Sequence, residues 1–278
     1  MSNSSTLDLN KPEETVVIDI AKAVAQCKLP HHVSPISDYF SYTQSLISRF
    51  IREDIRADPT ALSLLLLGIV SAAEFYFRSV LTQTLSICPC SIKHSERVQI
   101  PLASLSYYGT DTSSLGLSIF EHKSLAGSAE IKNEVQRLLG IALPNTGSVA
   151  TALNGFDTLC ELRHAAIHTR GYISSKAASD LGIYAEALQR IDMAQAAAFD
   201  LTKLSHNAVR SFNRFLTNAI LDRWKSKKIL TGVWGHDKKM FTKFFNLFVY
   251  PEESDFSSDV RLAYRHIQNS LVARINAN

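Results

Sequence analysis

The chain has 278 residues, 46% hydrophobic and 20% charged, and this composition excludes an intrinsically disordered or low-complexity protein. Its formal net charge of +3 is too small to imply general binding of nucleic acid, so any basic contact surface must come from local clustering of cations. The length allows one large domain or two small ones with a substantial core.

The start of the chain and its cysteines indicate a cytoplasmic protein. The first six residues are polar and unlike a secretory signal peptide, and four cysteines are present, Cys27, Cys88, Cys90 and Cys160. The spacing of Cys88 and Cys90 fits neither a zinc knuckle nor a redox dithiol, so we expect reduced thiols and no cofactor. The apolar run over residues 61–70 is shorter than the roughly 20 residues that span a bilayer, which predicts a buried helix and no membrane contact.

Helical spacing dominates the first third of the chain, because apolar residues recur every three or four positions. Residues 1–11 are predicted to be disordered. Three helices are then predicted, over residues 12–27, 35–56 and 59–86, and Pro89 prevents the third from continuing.

The segment 91–126 interrupts this pattern, because it mixes serine, tyrosine and glycine without a helical period. It is predicted to be an irregular insertion with one short extended piece at residues 98–102. Beyond it, Ser148 is a predicted N-cap, and the predicted helices cover residues 128–140, 149–170, 183–226, 236–249 and 258–275.

The fold class that these elements predict is all-α, a bundle of about seven helices with an irregular insertion. We predict one helical domain over residues 12–227, with the insertion at 91–126. Residues 228–278 are predicted to be a C-terminal helical extension that packs on the same domain.

The chemistry is most concentrated in the helix predicted at 149–170, which carries Arg163, His164 and His168. The two histidines are four residues apart, so their side chains are neighbours on one face. Imidazoles suit proton transfer near neutral pH, and a guanidinium stabilises charge on a phosphate. This set is sufficient for RNA cleavage by attack of the ribose 2′-hydroxyl, without a metal. The stripe predicted to be buried on the same helix is Val149, Ala152, Leu153, Phe156, Leu159, Cys160 and Ile167.

The order of these residues resembles the Arg-x4–6-His motif of HEPN domains, in which a polar residue usually follows the arginine. Gly171 shortly after His168 is also similar to members of that family. The resemblance implies an all-α, metal-independent endoribonuclease, in which Arg163 and His168 are the catalytic pair, His164 assists, and two copies of the helix line a composite site in a homodimer. It also implies a toxin or antiviral defence effector that cleaves tRNA or other RNA and has an antitoxin or defence-system partner.

Other polar residues are candidates for supporting roles. Glu74, which resembles the polar residue on the helix facing the motif, is expected either to pair with Arg163 or His168 or to face solvent. Arg170 beside the motif, and Arg210 and Arg214 on the predicted helix 183–226, are candidate RNA-binding cations. The phenylalanines at 241, 244, 245 and 248 are predicted to form core or a dimer contact rather than a stacking surface.

Two alternatives stay open, a metal site and a non-catalytic module, and the motif spacing also occurs a second time in the chain. Cys160, His164 and His168 are spaced to bind a metal from one helix face, with Glu74, His122 or His206 as a further ligand. Arg261 and His266 repeat the motif spacing, but a leucine follows the arginine, and this copy is interpreted as accidental. The chain is alternatively a non-catalytic HEPN-like helical module that binds a nucleotide, RNA or a protein partner.

Overall fold

The computed structural model describes residues 19–25, 33–50, 58–108, 112–184, 186–192 and 195–276. The chain divides into two compact units, residues 1–30 and residues 31–278. The disorder predicted at residues 1–11, most of the helix predicted at 12–27 and the end of the one predicted at 35–56 lie outside the described residues.

The described part of the first unit is a single 3-10 turn, Ile20–Lys22, where an α-helix was predicted. The carboxylate of Asp19 accepts a hydrogen bond from the backbone N–H of Ala21 at 3.2 Å and caps this turn. Within the described residues 19–25, Ile20 and Val24 are exposed, so burial of these two side chains does not stabilise this turn.

The second unit is helical, which confirms the all-α prediction. In its described part, β pairing is confined to one isolated bridge between Tyr172 and Arg190. The estimate of about seven helices was too low, because four short helices were not predicted. The described helices are α1 (Pro35–Phe50), α2 (Pro59–Ile87), α3 (Pro89–His94), α4 (Leu102–Tyr108), α5 (Thr112–Leu117), α6 (Ser128–Leu139), α7 (Ser148–His168), α8 (Ser175–Asp180), α9 (Gln195–Ser226), α10 (Trp234–Phe248) and α11 (Val260–Asn276).

Helix α2 is the centre of the bundle and packs against α1, α5, α6, α7, α9 and α10. Asp58 caps its first turn by accepting from the N–H of Thr60 at 2.8 Å, and Pro89 prevents it from continuing beyond Cys88, as predicted. Among the described helices, α2 alone is long and apolar enough to cross a membrane. Core helices of bundles can have the same length and composition. Five residues of the predicted run at 61–70 belong to the core here, whereas Leu64 is 57% exposed.

The predicted insertion is more regular than expected, because it contributes α3, α4, α5 and a 3-10 turn at Ser118–Phe120. The predicted extended piece at 98–102 forms no strand; residues 98–101 are loop and α4 starts at Leu102. Helix α5 packs on α2 at Gly116, where a Cβ atom would lie 1.9 Å from Cγ2 of Thr82. The short helices are stabilised by this tertiary packing, which has no local sequence signal.

Helix α6 confirms its prediction, and both of its ends are fixed by the helices that pack around it. Asp157 of α7 accepts hydrogen bonds from the backbone N–H and the hydroxyl of Ser128, both at 2.6 Å. Arg223 of α9 donates to the carbonyl oxygens of Leu139 and Gly140 at 2.6 and 2.9 Å. These bonds satisfy helix-end groups that have no intrahelical partner.

Helix α9 begins at Gln195, about twelve residues later than predicted. The preceding segment pairs with the chain after α7 instead: Ile173 donates its N–H to the carbonyl of Gln189 at 2.9 Å, and Ile191 donates to that of Gly171 at 2.8 Å. Backbone groups used in this pairing are not available for helical hydrogen bonds, which explains the shorter helix.

The C-terminal helices α10 and α11 confirm the predicted elements to within two residues and belong to the same compact unit as α1–α9. Phe241, Phe244, Phe245 and Phe248 are only 3–8% exposed, so they are core residues as predicted.

Candidate active site

Arg163, His164 and His168 lie in the last two turns of α7. The imidazole rings of His164 and His168 are in contact along one helix face. Their centroids are 4.5 Å apart and their planes are tilted by 44°. Both histidines are exposed, whereas Arg163 is partly buried. The arrangement therefore presents two adjacent proton-transferring groups to solvent, beside a guanidinium that is partly held by the protein.

The end of α7 is closed by hydrogen bonds that return to the carbonyl oxygen of Ala165. The N–H of Thr169 donates to it at 3.1 Å, the N–H of Gly171 at 2.9 Å, and the hydroxyl of Thr169 at 2.8 Å. Arg170 and Gly171 both have positive φ, 53° and 87°. Glycine adopts this conformation without strain, so Gly171 serves the helix end as predicted, whereas Arg170 is a non-glycine residue in the left-handed region.

Arg163 points its Nε into the protein, where this buried atom has no hydrogen-bond partner in the described structure. Next to it, burial raises the pKa of the Cys160 thiol, the negative charges of Asp157 and Glu74 raise it further, and the positive charge of Arg163 opposes them. Cys160 is therefore a protonated, buried thiol, and Arg163 lies within its electrostatic reach.

Glu74 fits neither of its two predicted roles. Its side chain is only 12% exposed, and it pairs with Arg78 of the same helix at 3.4 Å rather than with the α7 cations. The carboxylate also accepts hydrogen bonds from the hydroxyl of Ser124 and the N–H of Leu125, both at 2.9 Å. Glu74 therefore anchors the end of the insertion to α2, a role set by a tertiary contact about fifty residues away.

Arg170 is exposed in the turn that follows His168. Its carbonyl oxygen accepts a hydrogen bond from Nε of Arg190 at 3.3 Å, and the Arg190 guanidinium lies 5.4 Å from the ring centroid of Tyr172. Arg190 is thus a second cation near the end of α7. Its position was not predicted, because residue 190 was expected to lie within a helix and only the Tyr172–Arg190 bridge brings it here.

Arg210 and Arg214 do not join this site. Helix α9 runs antiparallel to α7, since Leu204 packs at Gly155 while the earlier Leu201 shares a cleft with the later Leu162. At 1.5 Å per residue, Arg210 lies roughly 25–30 Å along the bundle from the end of α7.

The two arginines also differ in whether their charge is already paired with a carboxylate. Nε of Arg210 donates to Glu253 at 2.8 Å, and its guanidinium lies 4.5 Å from the ring centroid of Phe40. Arg214 is exposed and has no ion-pair partner among the described residues. The predicted RNA-binding cations are therefore split between two ends of the molecule.

Two further predictions about this region fail. Ile167, predicted to be buried, is 43% exposed in the last turn of α7. The alternative metal site is not assembled either: in the part of the chain that the structure describes, no three of the candidate histidine, cysteine and carboxylate ligands come together.

His206, a candidate metal ligand, lies instead between aromatic rings, 5.0 Å from Phe40 and 5.8 Å from Tyr39. Burial lowers the pKa of His206 to about 4, and the charge of Arg210 lowers it further, while Glu253 partly offsets both. The folded protein therefore keeps this imidazole neutral over a pH range in which an unfolded chain would protonate it.

We expect this difference to make the protein less stable in mild acid. In the unfolded chain His206 is protonated below its ordinary pKa of 6.5, whereas in the folded chain it is protonated only below about pH 4. The free energy of unfolding therefore decreases as the pH falls through this window. Between pH 7 and pH 5, His206 should contribute a loss of about 1 kcal/mol, reduced from the full linkage value because the ring is partly solvated. Urea unfolding of wild type and His206→Gln at both pH values measures it; an equal loss in both proteins would contradict the assignment.

A scan of the chain against protein-family models finds no match, and neither the curated proteins nor the solved structures include a similar one. The site is therefore interpreted from its own geometry: two adjacent exposed imidazoles, a partly buried guanidinium, and two further arginines at the same helix end.

Proposed function

We propose that the chain is a metal-independent endoribonuclease of the HEPN type that acts as a homodimer on RNA, with tRNA as a candidate substrate. The observation that carries this proposal is the contact between the imidazoles of His164 and His168, 4.5 Å apart and accessible, next to Arg163. Arg170 and Arg190 add cations that suit a phosphate backbone. A role as a toxin or antiviral defence effector with a partner protein follows from the family resemblance alone.

The proposed reaction needs only these side chains. An imidazole removes the proton of a ribose 2′-hydroxyl, the oxygen attacks the adjacent phosphorus, and the bond to the 5′-oxygen breaks as a second, protonated imidazole donates its proton to that oxygen. The products are a 2′,3′-cyclic phosphate and a 5′-hydroxyl. We assign the proton transfers to His168 with assistance from His164, and stabilisation of the phosphorane charge to Arg163.

A second copy of the chain completes this site. Within one protomer both imidazoles are open to solvent, and Ile167 exposes apolar surface on the same turn of the helix. Packing of two α7 ends about a two-fold axis would cover Ile167, exclude water, and place Arg163 of one protomer near His168 of its partner. Such a contact is isologous, because the same surface serves both protomers.

The test is incubation of the purified full chain with total tRNA, with and without EDTA. We expect fragments that end in cyclic phosphate, in equal yield in both, because no step uses a metal ion. Loss of cleavage in EDTA that zinc restores would favour the metal-site alternative. Binding of RNA without any fragments would favour the non-catalytic module.

Mixing two inactive variants tests the composite site. Arg163→Ala keeps His168, and His168→Ala keeps Arg163, so a heterodimer of the two retains one intact Arg163–His168 pair across the two-fold axis. We expect each variant alone to be inactive and the mixture, after subunit exchange, to recover roughly a quarter of the wild-type rate, since about half of the dimers are mixed and each holds one of two pairs. If subunit exchange is confirmed and cleavage is still not recovered, both groups of a working site belong to one protomer.

A further inference from the structure

A cleft between α9, α10, α11 and the loop that joins the last two helices has no role in the proposed reaction. Its volume is about 670 Å³. Sites for small molecules and cofactors typically measure about 300–1,000 Å³. It lies toward the end of α9 that is remote from His168, so a ligand here would not occupy the candidate active site.

The floor of the cleft is aromatic. Phe245 and Phe248 are buried beneath it, while Tyr250 and Phe256 are only partly covered. One face of Tyr250 stacks on Phe40, with ring centroids 4.7 Å apart and planes at 14°, so its exposed surface belongs to the cleft. Partly covered aromatic rings of this kind provide a surface on which a flat heterocycle stacks.

Arg214 is the arginine of the cleft that is left for a ligand, and the exposed His266 also lines the cleft. One turn earlier on α9, Arg210 is bound to Glu253, and these two charges cancel. Arg214 lines the cleft, is exposed, and forms no ion pair with any residue that the structure describes. Asn218 follows one turn later on the same face of the helix. A guanidinium with a neighbouring amide suits one phosphate group, because it donates two parallel hydrogen bonds to the anion.

Asp255 restricts the class of ligand further. This exposed carboxylate also lines the cleft but forms no ion pair with Arg214. Since the charges of Arg214 and Asp255 balance, the cleft does not favour a polyphosphate. A carboxylate accepts hydrogen bonds, so it selects a ligand with amino or ring N–H donors as well as its one anionic group. A nucleoside monophosphate has this combination, because its base carries N–H donors and its sugar carries one phosphate group.

We propose that this cleft binds one nucleotide unit, with the base on Phe256 and Tyr250, base donors facing Asp255, and the phosphate on Arg214. The unit is either a free mononucleotide or one nucleotide of an RNA chain; only the second source rests on the proposed function.

Calorimetric titration of the full chain with guanosine 5′-monophosphate tests this inference, with guanosine and ribose 5-phosphate as partial ligands. We expect the mononucleotide to bind more tightly than either part. Arg214→Gln should weaken mononucleotide binding by about tenfold or more, because a charge-assisted contact is lost, and should leave guanosine binding unchanged. Arg261→Gln removes the same charge from α11 outside the cleft and should change affinity by less than about twofold.

Phe256→Leu separates the base contact from the phosphate contact. It keeps apolar bulk in the cleft but removes the ring, so binding of guanosine and of the mononucleotide should weaken by about fivefold or more, while ribose 5-phosphate binding stays unchanged. No saturable binding of the mononucleotide at millimolar concentration, or equal binding by Arg214→Gln and wild type, would overturn the proposal.

A five-nucleotide RNA distinguishes the two sources of the ligand. Competition between this RNA and the mononucleotide assigns the cleft to RNA, and mononucleotide binding without competition assigns it to a free nucleotide. His168→Ala, inactive under the proposed function, should bind the mononucleotide like wild type. Nucleotide binding in a chain that cleaves no RNA would therefore reject the proposed function alone, and cleavage without nucleotide binding would reject this inference alone.

Discussion

His168→Ala is expected to reduce RNA cleavage by about 10²–10⁴-fold, the usual contribution of a general acid or base. Its imidazole is exposed at the end of α7 and makes its described ring contact with His164 alone, so truncation removes a reacting group without opening the core. Arg163→Ala should lower cleavage by about 10²–10³-fold through loss of charge stabilisation in the transition state. Single-turnover cleavage of a labelled tRNA measures both changes.

Matched variants separate loss of chemistry from loss of structure. His236→Ala removes an exposed histidine of α10, and Arg261→Ala an exposed arginine of α11, and both should retain full activity. Arg163→Lys keeps the charge but loses the planar fork, so we expect an intermediate rate. Circular dichroism and sedimentation should be unchanged in every variant. Wild-type cleavage by pure His168→Ala or Arg163→Ala would refute the assignment of that residue.

Asp237→Ala is expected to produce the largest loss of stability. This carboxylate is 3% exposed and accepts hydrogen bonds from the N–H of Thr231, the N–H of Gly232 and the hydroxyl of Tyr264, the last at 2.6 Å. It joins the start of α10 to the preceding loop and to α11. Truncation leaves the N–H of Gly232 and the hydroxyl of Tyr264 buried without this acceptor, which we expect to cost about 3 kcal/mol in the free energy of unfolding. Thermal unfolding should show a fall in Tm of roughly 6–12 °C.

The control for this prediction is Asp222→Ala on α9, which removes an aspartate that is 63% exposed and lies 3.9 Å from Lys225. Its stability should stay within about 0.5 kcal/mol of wild type. Asp237→Asn keeps the size of the side chain but turns an amide donor toward other donors, so it should also be clearly destabilising. A Tm for Asp237→Ala that matches the Asp222→Ala value would show that water replaces the carboxylate without cost.

Helix positions followed from the sequence wherever a local signal existed. The start of α2 was predicted by Asp58 followed by proline, and its end by Pro89, because both act within one turn of the helix. The positions of α6, α10 and α11 followed from apolar periodicity. The short helices α3, α4, α5 and α8 were missed, since helices of six or seven residues are stable only through packing on other elements.

The candidate site was predictable only in part. The adjacency of His164 and His168 follows from their spacing of four in a helix, and the ring contact agrees with it. The contact of Glu74 with Leu125, the arrival of Arg190 and the pairing of Arg210 with Glu253 depend on residues 20 to 51 positions away. Pairs so distant in sequence leave no periodic or spacing signal.

The sequence by itself therefore determined the all-α class, the helix that carries Arg163, His164 and His168, and the side of that helix on which both imidazoles lie. These properties depend on interactions within a few residues. Only the tertiary structure decided that Glu74 anchors a loop, that Asp237 ties α10 to α11, and that Arg214 lines a separate aromatic cleft. Those outcomes depend on which helices pack together, and antiparallel packing of α7 and α9 separates Arg170 from Arg210 and Arg214, which were predicted together as RNA-binding cations.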